Sequence, residues 1–348
     1  MHGTADRSAD PALAEKVEFL SRPDTYGLAP GAVARRETHM SWVFLAGDRV
    51  FKLKKPVRFP YLDFSTVERR AAACRAELKL NRRLAPDIYL DVVPLTQTAG
   101  RLSLGGAGRA VDSLVMMKRL DERFMLDRML EERRIGFAEL NRLCDTLAQF
   151  YRAATPTFLP AATLLADWRQ ALAYNRRVLL DPRFRLAAGR VRRIDRAQQK
   201  FLQRHGHLIV MRLRHRRIVD GHGDLRPEHI WLDDRVRIID CLEFNDRLRI
   251  VDPFDEIAFL SLECERLGAA WAGDYIARRM THLLRDGPAQ ALFTFYRCHR
   301  ATLRARLAIA HLFEAHPRTP EKWPRLTATY LDLAEESARK LEELLRRP

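Results

Sequence analysis

Ile218-Val-Asp-Gly-His-Gly-Asp-Leu-Arg-Pro-Glu-His-Ile-Trp-Leu-Asp-Asp-Arg-Val-Arg-Ile-Ile-Asp-Cys-Leu-Glu-Phe244 is the stretch whose reading decides the fold. Two short apolar runs, Ile230 to Leu232 and Val236 to Ile239, flank Asp233-Asp234, a turn signal. The pattern predicts a small hairpin. Asp224 lies in the loop before it and Asp240 at its far end. A hairpin folds its ends back beside each other, so the spacing predicts that these two carboxylates, sixteen residues apart, converge on one spot. Gly223 permits a tight backbone where Asp224 must point outward.

The arrangement resembles the catalytic core of the aminoglycoside phosphotransferase and choline kinase families, which are relatives of the protein kinases. It also resembles the kinase-like domain of bacterial bifunctional aminoglycoside phosphotransferase/ATP-binding proteins. The family loop reads His-Gly-Asp, four residues, then Asn. Here it is His222-Gly223-Asp224-Leu225-Arg226-Pro227-Glu228, with His229 where the Asn stands. The family's metal-binding acid follows a strand ending Ile-Asp, as Ile239-Asp240 does.

The resemblance implies that Asp224 accepts or orients the proton of an acceptor hydroxyl, that His222 supports the loop, and that Asp240 holds Mg²⁺ across the phosphates of ATP. His229 departs from the pattern. An amide oxygen suits a hard cation, whereas an imidazole nitrogen suits softer metals. His229 is therefore open to binding Mn²⁺, contacting phosphate or filling a structural role, and Glu243 is an alternative oxygen ligand. An Asx turn with a surface acid would explain His-Gly-Asp alone. The hairpin, the second acid and the elements upstream weigh against that reading.

The 348 residues suffice for one two-lobed enzyme or two domains, and 47% hydrophobic content supports a real core. No stretch reaches the eighteen or so uncharged apolar residues of a membrane span, and Met1 to Ser8 has no signal character. Cys74, Cys144, Cys241, Cys264 and Cys298 are scattered with no CxxC pair, which suits apolar filler in a reducing cytoplasm. The net charge of +16 is spread along the chain. It fits either an anionic partner or an arginine-rich solvated surface, and it opposes polycationic substrates such as aminoglycosides.

Upstream, Leu13, Val17 and Leu20 predict a short helix over Pro11 to Ser21, after a tail without periodicity at 1–10. Met40 to Leu45 and Val50 to Lys54 predict a hairpin that resembles strands two and three of a kinase N-lobe. There Lys52 would reach the nucleotide phosphates, with Lys54, on the same strand face, the runner-up. No GxGxxG loop precedes them. Phe64 to Arg83 reads as a helix with Ser65 as N-cap and Glu68 at the capping-box position. On that helix Glu77 is the acid that the resemblance pairs with the strand lysine. Leu102 to Leu104, the turn Gly105 to Gly108 and Val111 to Met117 predict a further hairpin. It leads to a hinge at Met117, Lys118, Arg119 and Leu120 that would read the adenine edge.

Downstream, Phe124 to Arg133 and Phe137 to Tyr151 read as helices. A helical, arginine-rich insert at 161–216 follows; acceptor specificity should lie there, and Arg176, Arg177, Arg190, Arg192 and Arg193 suggest an anionic acceptor. After Asp240, Asp252 to Phe259 begins a helix that resembles the family's Asp-Ile-Ala-Phe segment. On it Asp255 or Glu256 would hold the catalytic loop's backbone, or cap the helix. Helices are expected at Trp271 to Leu284, Pro288 to Phe313 and Pro324 to Leu345, the last ending in a frayed charged face at Lys340 to Arg347. There is no GxxxxGK[ST] motif.

The expected fold is α+β and two-lobed, protein-kinase-like. It comprises a tail and helix at 1–24, a β-rich N-lobe at 25–117 and a helical C-lobe at 118–348 that holds the catalytic hairpin 218–244. The expected activity is transfer of the γ-phosphoryl group of ATP to a hydroxyl of a small molecule, anionic or neutral, with Mg²⁺ or Mn²⁺. The other classes are a pseudokinase that binds nucleotide without turnover and, less favoured, a nucleic-acid-binding protein. The acceptor, ATP against GTP, and the oligomeric state are not legible in the sequence.

Overall fold

The computed structural model describes residues 11–59, 62–314, 317 and 319–346. The tail at 1–10 and Arg347 lie outside them. Contacts divide the chain into two units, Met1–Glu122 with Arg237–Arg247, and Arg123–Val236 with Leu248–Pro348.

The first unit begins with α1 (Leu13–Ser21), followed by β1 (Val33–Glu37), β2 (Ser41–Ala46), β3 (Arg49–Lys54) and the short strands β4 (Arg58–Phe59) and β5 (Leu62–Asp63). Then come α2 (Val67–Asn81), β6 (Tyr89–Thr98), β7 (Arg101–Leu104) and β8 (Arg109–Lys118). Six strands form one antiparallel sheet in the order β1-β2-β3-β8-β6-β7. Phe44, Leu53, Leu95, Val111 and Leu114 pack with Val17 and Leu20 of α1. A second cluster joins Cys74 of α2 to Ile88, Tyr89 and Val115.

Two local features differ from expectation. The strand 102–104 does not pair with 111–117. β6 stands between β7 and β8, and β7 folds back on β6 through Ala99-Gly100. Both residues have positive φ, +47° and +77°, the requirement of a two-residue type I′ hairpin turn. The N-cap of α2 is Thr66, whose hydroxyl accepts from the Arg69 N–H at 3.3 Å. Ser65 is turned back instead, its N–H and hydroxyl both donating to Asp63. That local Asx geometry competes successfully with capping.

A buried node ties this unit together. Asp112 on β8 accepts from Lys16 of α1 at 2.8 Å and from the Arg70 guanidinium of α2 at 2.8 and 2.9 Å. All three residues are buried. A buried carboxylate with two cations and its own Ser113 N–H is fully engaged.

The second unit runs through α3 (Leu126–Glu131), α4 (Phe137–Ala153), α5 (Ala161–Leu179), α6 (Ala188–Arg214), β9 (Val219–Asp220) and β10 (Ile230–Leu232). β11 (Val236–Ile238) carries the chain across the unit boundary, so both strands of the expected hairpin exist. β12 (Ile250–Val251) pairs with β9, and α7 (Pro253–Arg266), α8 (Ala270–Leu283), α9 (Gln290–Ala310) and α10 (Lys322–Leu344) complete the unit. α10 is not frayed along its last turns, because Leu341 and Leu345 are buried against the core of α6 and α9.

Three of the insert's arginines bind helices to one another. Arg190 pairs with Asp332 at 2.5 Å and Arg193 with Glu335 at 2.7 Å, both on α10, and Arg176 reaches Asp195 at 3.2 Å. Among the described residues no helix is long and apolar enough to cross a membrane. All five cysteines are free and buried.

Candidate active-site residues

In the first unit, β3 alternation puts Lys52 and Lys54 on one side of the sheet, and α2 brings Glu77 to both. Lys52 Nζ lies 2.9 Å from Glu77 Oε1 and 2.8 Å from Asp240 Oδ1. Lys54 Nζ lies 2.6 Å from Glu77 Oε2 and also holds Glu243 Oε1. The five groups alternate in charge: Asp240, Lys52, Glu77, Lys54, Glu243. Burial pulls the Lys52 ammonium's pKa down, but Asp240, Glu77 and Glu243 pull harder, so it stands above the ordinary lysine value. Burial would raise Glu77, yet the two lysines hold it below the ordinary carboxylate value. Burial pushes Glu243 up, against the pull of Lys54.

The lysines differ in access. The Lys54 side chain is 1% exposed, and that of Lys52 is 16%. Asp240 is 46% exposed and has φ +61°, the left-handed region, where an aspartate is tolerated at a cost. Its N–H donates to the Tyr89 hydroxyl at 3.1 Å, and the next N–H, of Cys241, to Asn81 Oδ1 at 2.9 Å. Met117 and Lys118 close β8; the Lys118 N–H donates to Ile88 O and the Arg119 N–H to Asp48 O. Those two amides are thus engaged within the unit.

In the second unit, the loop His222-Gly223-Asp224 is fastened from below by Glu256 of α7. Its carboxylate accepts from the His222 N–H at 3.1 Å, from the Gly223 N–H, and from the Tyr151 hydroxyl at 2.9 Å. Burial raises the Glu256 pKa, with the two backbone N–H groups opposing. Asp255 turns elsewhere and makes a two-pronged pair with Arg300 at 2.8 and 2.6 Å. Gly221 has no room for a side chain, since a Cβ there would stand 2.5 Å from Val251 and 2.6 Å from Glu256 Oε2. Gly223 has φ +90°. Asp252 caps α7 through the Phe254 N–H and binds Arg212.

Asp224 Oδ2 accepts from Arg226 Nε at 3.0 Å, and its carbonyl oxygen is 2.9 Å from His229 Nδ1. His229 Nε2 lies 3.0 Å from the Arg226 guanidinium. A guanidinium only donates, so Nε2 accepts and Nδ1 carries the proton. Asp224 and Asp240 belong to different units.

The donor atoms fit a hard divalent cation unevenly. Asp240 offers a half-exposed carboxylate, the right chemistry for Mg²⁺. Both ring nitrogens of His229 are engaged, and Glu243 is 9% exposed and bound to Lys54. Asp240 is the donor best prepared for a metal.

Tyr89, Asn81, Tyr151, Arg226, Arg300 and Gly221 were missed in the sequence reading. Only Arg226 and Gly221 carried a signal, by lying inside the decisive stretch.

No family model matches the chain. Uncharacterized proteins of Mycobacterium tuberculosis and Mycobacterium bovis are 33% identical to it over 289 residues, 81% of this chain and 56% of theirs. The chain thus spans about half the length of the curated relatives it matches. Among solved structures it is similar to a choline/ethanolamine kinase family protein from Mesorhizobium loti, with TM-score 0.51 and 15% identity, covering 96% of this chain and 95% of that one. It is also similar to a thermostable mutant of an aminoglycoside phosphotransferase in ternary complex with AMP-PNP and hygromycin B, with TM-score 0.51 and 12% identity, covering 94% and 99%. These likenesses give the fold, which is protein-kinase-like, with an antiparallel sheet in one unit and a helical second unit.

Proposed function

We propose that this chain, on the fold it shares with choline kinases and aminoglycoside phosphotransferases, is a phosphotransferase that moves the γ-phosphoryl group of ATP to a hydroxyl of a small neutral or anionic molecule. The observation that carries the reading is Lys52, held between Glu77 at 2.9 Å and Asp240 at 2.8 Å. A charged, partly accessible lysine fixed by a buried glutamate suits binding of nucleotide phosphates. Lys54 is too buried to share that task. Met117, Lys118 and Arg119 would border the adenine, and AMP-PNP in the solved relative supports nucleotide as the donor.

Asp240 would hold Mg²⁺, which when bound supplies charge neutralisation at the phosphates. Asp224 would accept or orient the acceptor's proton. Its loop is rigid because Glu256 takes the amides of His222 and Gly223. Arg226 Nε, 3.0 Å from Asp224 Oδ2, would hold that carboxylate in place. His229 would steady the loop through the Asp224 carbonyl and, with Mn²⁺, serve as a softer ligand once Arg226 releases Nε2. The five buried free thiols fit work in a reducing cytoplasm.

A second reading has its own support. The engagement of both His229 nitrogens and of Asp224 by Arg226 suits a nucleotide-binding module with weak or no turnover.

The test is a thermal shift with ATP, with and without Mg²⁺ or Mn²⁺, on wild type, Asp240→Ala and Asp224→Ala, followed by turnover with sugar and anionic alcohols. Nucleotide at about a hundred times its dissociation constant stabilises a fold by about 2.7 kcal/mol. The expected result is a metal-dependent shift lost in Asp240→Ala and kept in Asp224→Ala, with transfer lost in both. Binding without transfer in any wild-type assay favours the second reading. Absence of any shift overturns both. Binding that instead weakens steeply between about 50 and 200 mM salt with nucleic acid would replace them.

A further inference from the structure

We infer that Lys54 and Glu243 are positioning residues: the pair clamps the segment bearing Asp240 onto β3 and α2, so that Asp240 and Lys52 are set before nucleotide arrives. The inference rests on the phosphotransferase reading for its purpose, and on geometry within the first unit for its substance.

One lysine and one glutamate suffice to present an ammonium to phosphates. This chain spends a second lysine and a third carboxylate, both out of reach of a ligand. Lys54 is 1% exposed, its Nζ 2.6 Å from Glu77 and bound to Glu243, with the Phe64 ring 5.0 Å away. Glu77 therefore gives one oxygen to each lysine, and the chain of charges starts and ends on one short segment, at Asp240 and Glu243.

The segment needs such a restraint. Asp240 sits at φ +61°, which a non-glycine residue keeps only when its surroundings enforce it. The amide bonds to Tyr89 and Asn81 restrain the backbone at residues 240 and 241, and Asn81 itself donates to the Glu77 carbonyl at 2.9 Å. Glu243 adds the third anchor, three residues beyond Asp240. A buried ion pair contributes little net stability against an apolar pair, but it accepts few alternative geometries. Glu243 engaged in this way is a fastening for the metal acid and not a second metal ligand.

The experiment compares Glu243→Gln, Lys54→Met and the double variant Lys54→Met/Glu243→Met with wild type. Amide hydrogen exchange in the ligand-free protein reads the clamp directly. The expectation is exchange at Asp240 and Cys241 about tenfold faster or more in Glu243→Gln, with β2 and β3 unchanged. With ATP, the Mg²⁺ concentration for half-maximal rate should rise about tenfold while kcat at saturating Mg²⁺ stays within about twofold. A merely structural role would lower kcat and thermal stability without moving the metal dependence. Lys54→Met strands a buried carboxylate and is expected to lose the most stability. The double variant removes that charge, recovers stability and retains fast exchange. Exchange within twofold of wild type in Glu243→Gln and in the double variant overturns the clamp. A wild type that neither binds nor turns over nucleotide overturns the phosphotransferase reading instead, and the exchange comparison still decides the clamp.

Discussion

Glu256 offers the sharpest test of how the His222-Gly223-Asp224 loop is held. Its carboxylate is fully buried and gathers three donors: the His222 N–H, the Gly223 N–H and the Tyr151 hydroxyl. Glu256→Ala removes the carboxylate acceptor of two backbone amides. Each stranded buried donor costs about 1–3 kcal/mol, so the loss should be about 3–6 kcal/mol once the emptied volume is added. Against a typical stability of about 5–15 kcal/mol this is a large fraction. Glu256→Gln keeps the shape: the amide oxygen can serve the two N–H groups and the NH₂ can face the Tyr151 oxygen. Its cost should be only about 1–2 kcal/mol, because the Tyr151 O–H loses its acceptor.

The pH dependence has a definite sign. Burial raises the Glu256 pKa in the folded protein. The folded state then keeps its proton to higher pH than the unfolded chain, so this group's contribution is full below the unfolded value and is lost as pH rises through the folded one. Glutamine has no such slope. The deficit of Glu256→Gln relative to wild type should therefore be smaller at about pH 8 than at about pH 5, by urea unfolding at each. A deficit that grows with pH, or a Glu256→Ala cost under about 1 kcal/mol, would refute the account of the loop's support.

Other expectations follow from the same geometry. Asp112→Ala leaves Lys16 and Arg70 buried without their shared partner and should cost about 3–5 kcal/mol in denaturant unfolding. Gly221→Ala forces a Cβ against Val251 and Glu256; it should cost about 1–3 kcal/mol and reduce transfer by displacing the loop. Burial pushes the thiols of Cys74, Cys144 and Cys264 up to about 12, so the native protein should react with a thiol reagent at about pH 8 far more slowly than the guanidinium-unfolded chain, which exposes all five cysteines.

The elements that sequence reading located best are those with local signals. Phe51 to Lys54 alternates apolar and charged residues as a strand should, and α4 carries Leu140, Leu143 and Leu147 on one buried face. Glu77 could be named because the family resemblance implies an acid on this helix, and spacing to the helix end and to the next strand favours Glu77 over Glu68. The sheet order could not, because nothing local distinguishes a β7 that turns back on β6 from one that pairs forward with β8. The positive φ of Ala99 decided it, and alanine does not announce that conformation. Asp112 was equally invisible. Inside Val111 to Met117 it reads as a polar interruption of a strand, and its partners lie 42 and 96 residues away. Glu256 against Asp255 was undecidable from neighbouring positions, because a helix turns about 100° per residue and only the packing shows which face meets the loop.

The Asp112 node gives α1 an unusual status. The helix is seated in its unit by one buried charged head group, Lys16, by the apolar anchors Val17 and Leu20 with Leu13 and Phe19 beside them, and by Ser21, which accepts from Arg35 of β1; a connection bearing Gly27 and Gly31 at positive φ joins it to β1. That is the anatomy of a ligand in its receptor, held by a tether. The tether supplies an effective concentration of the order of millimolar. Cutting it between residues 27 and 32 would turn an intramolecular equilibrium into a dissociation, with a peptide of this sequence as the competitor. An added excess of that peptide should then refill the vacated seat.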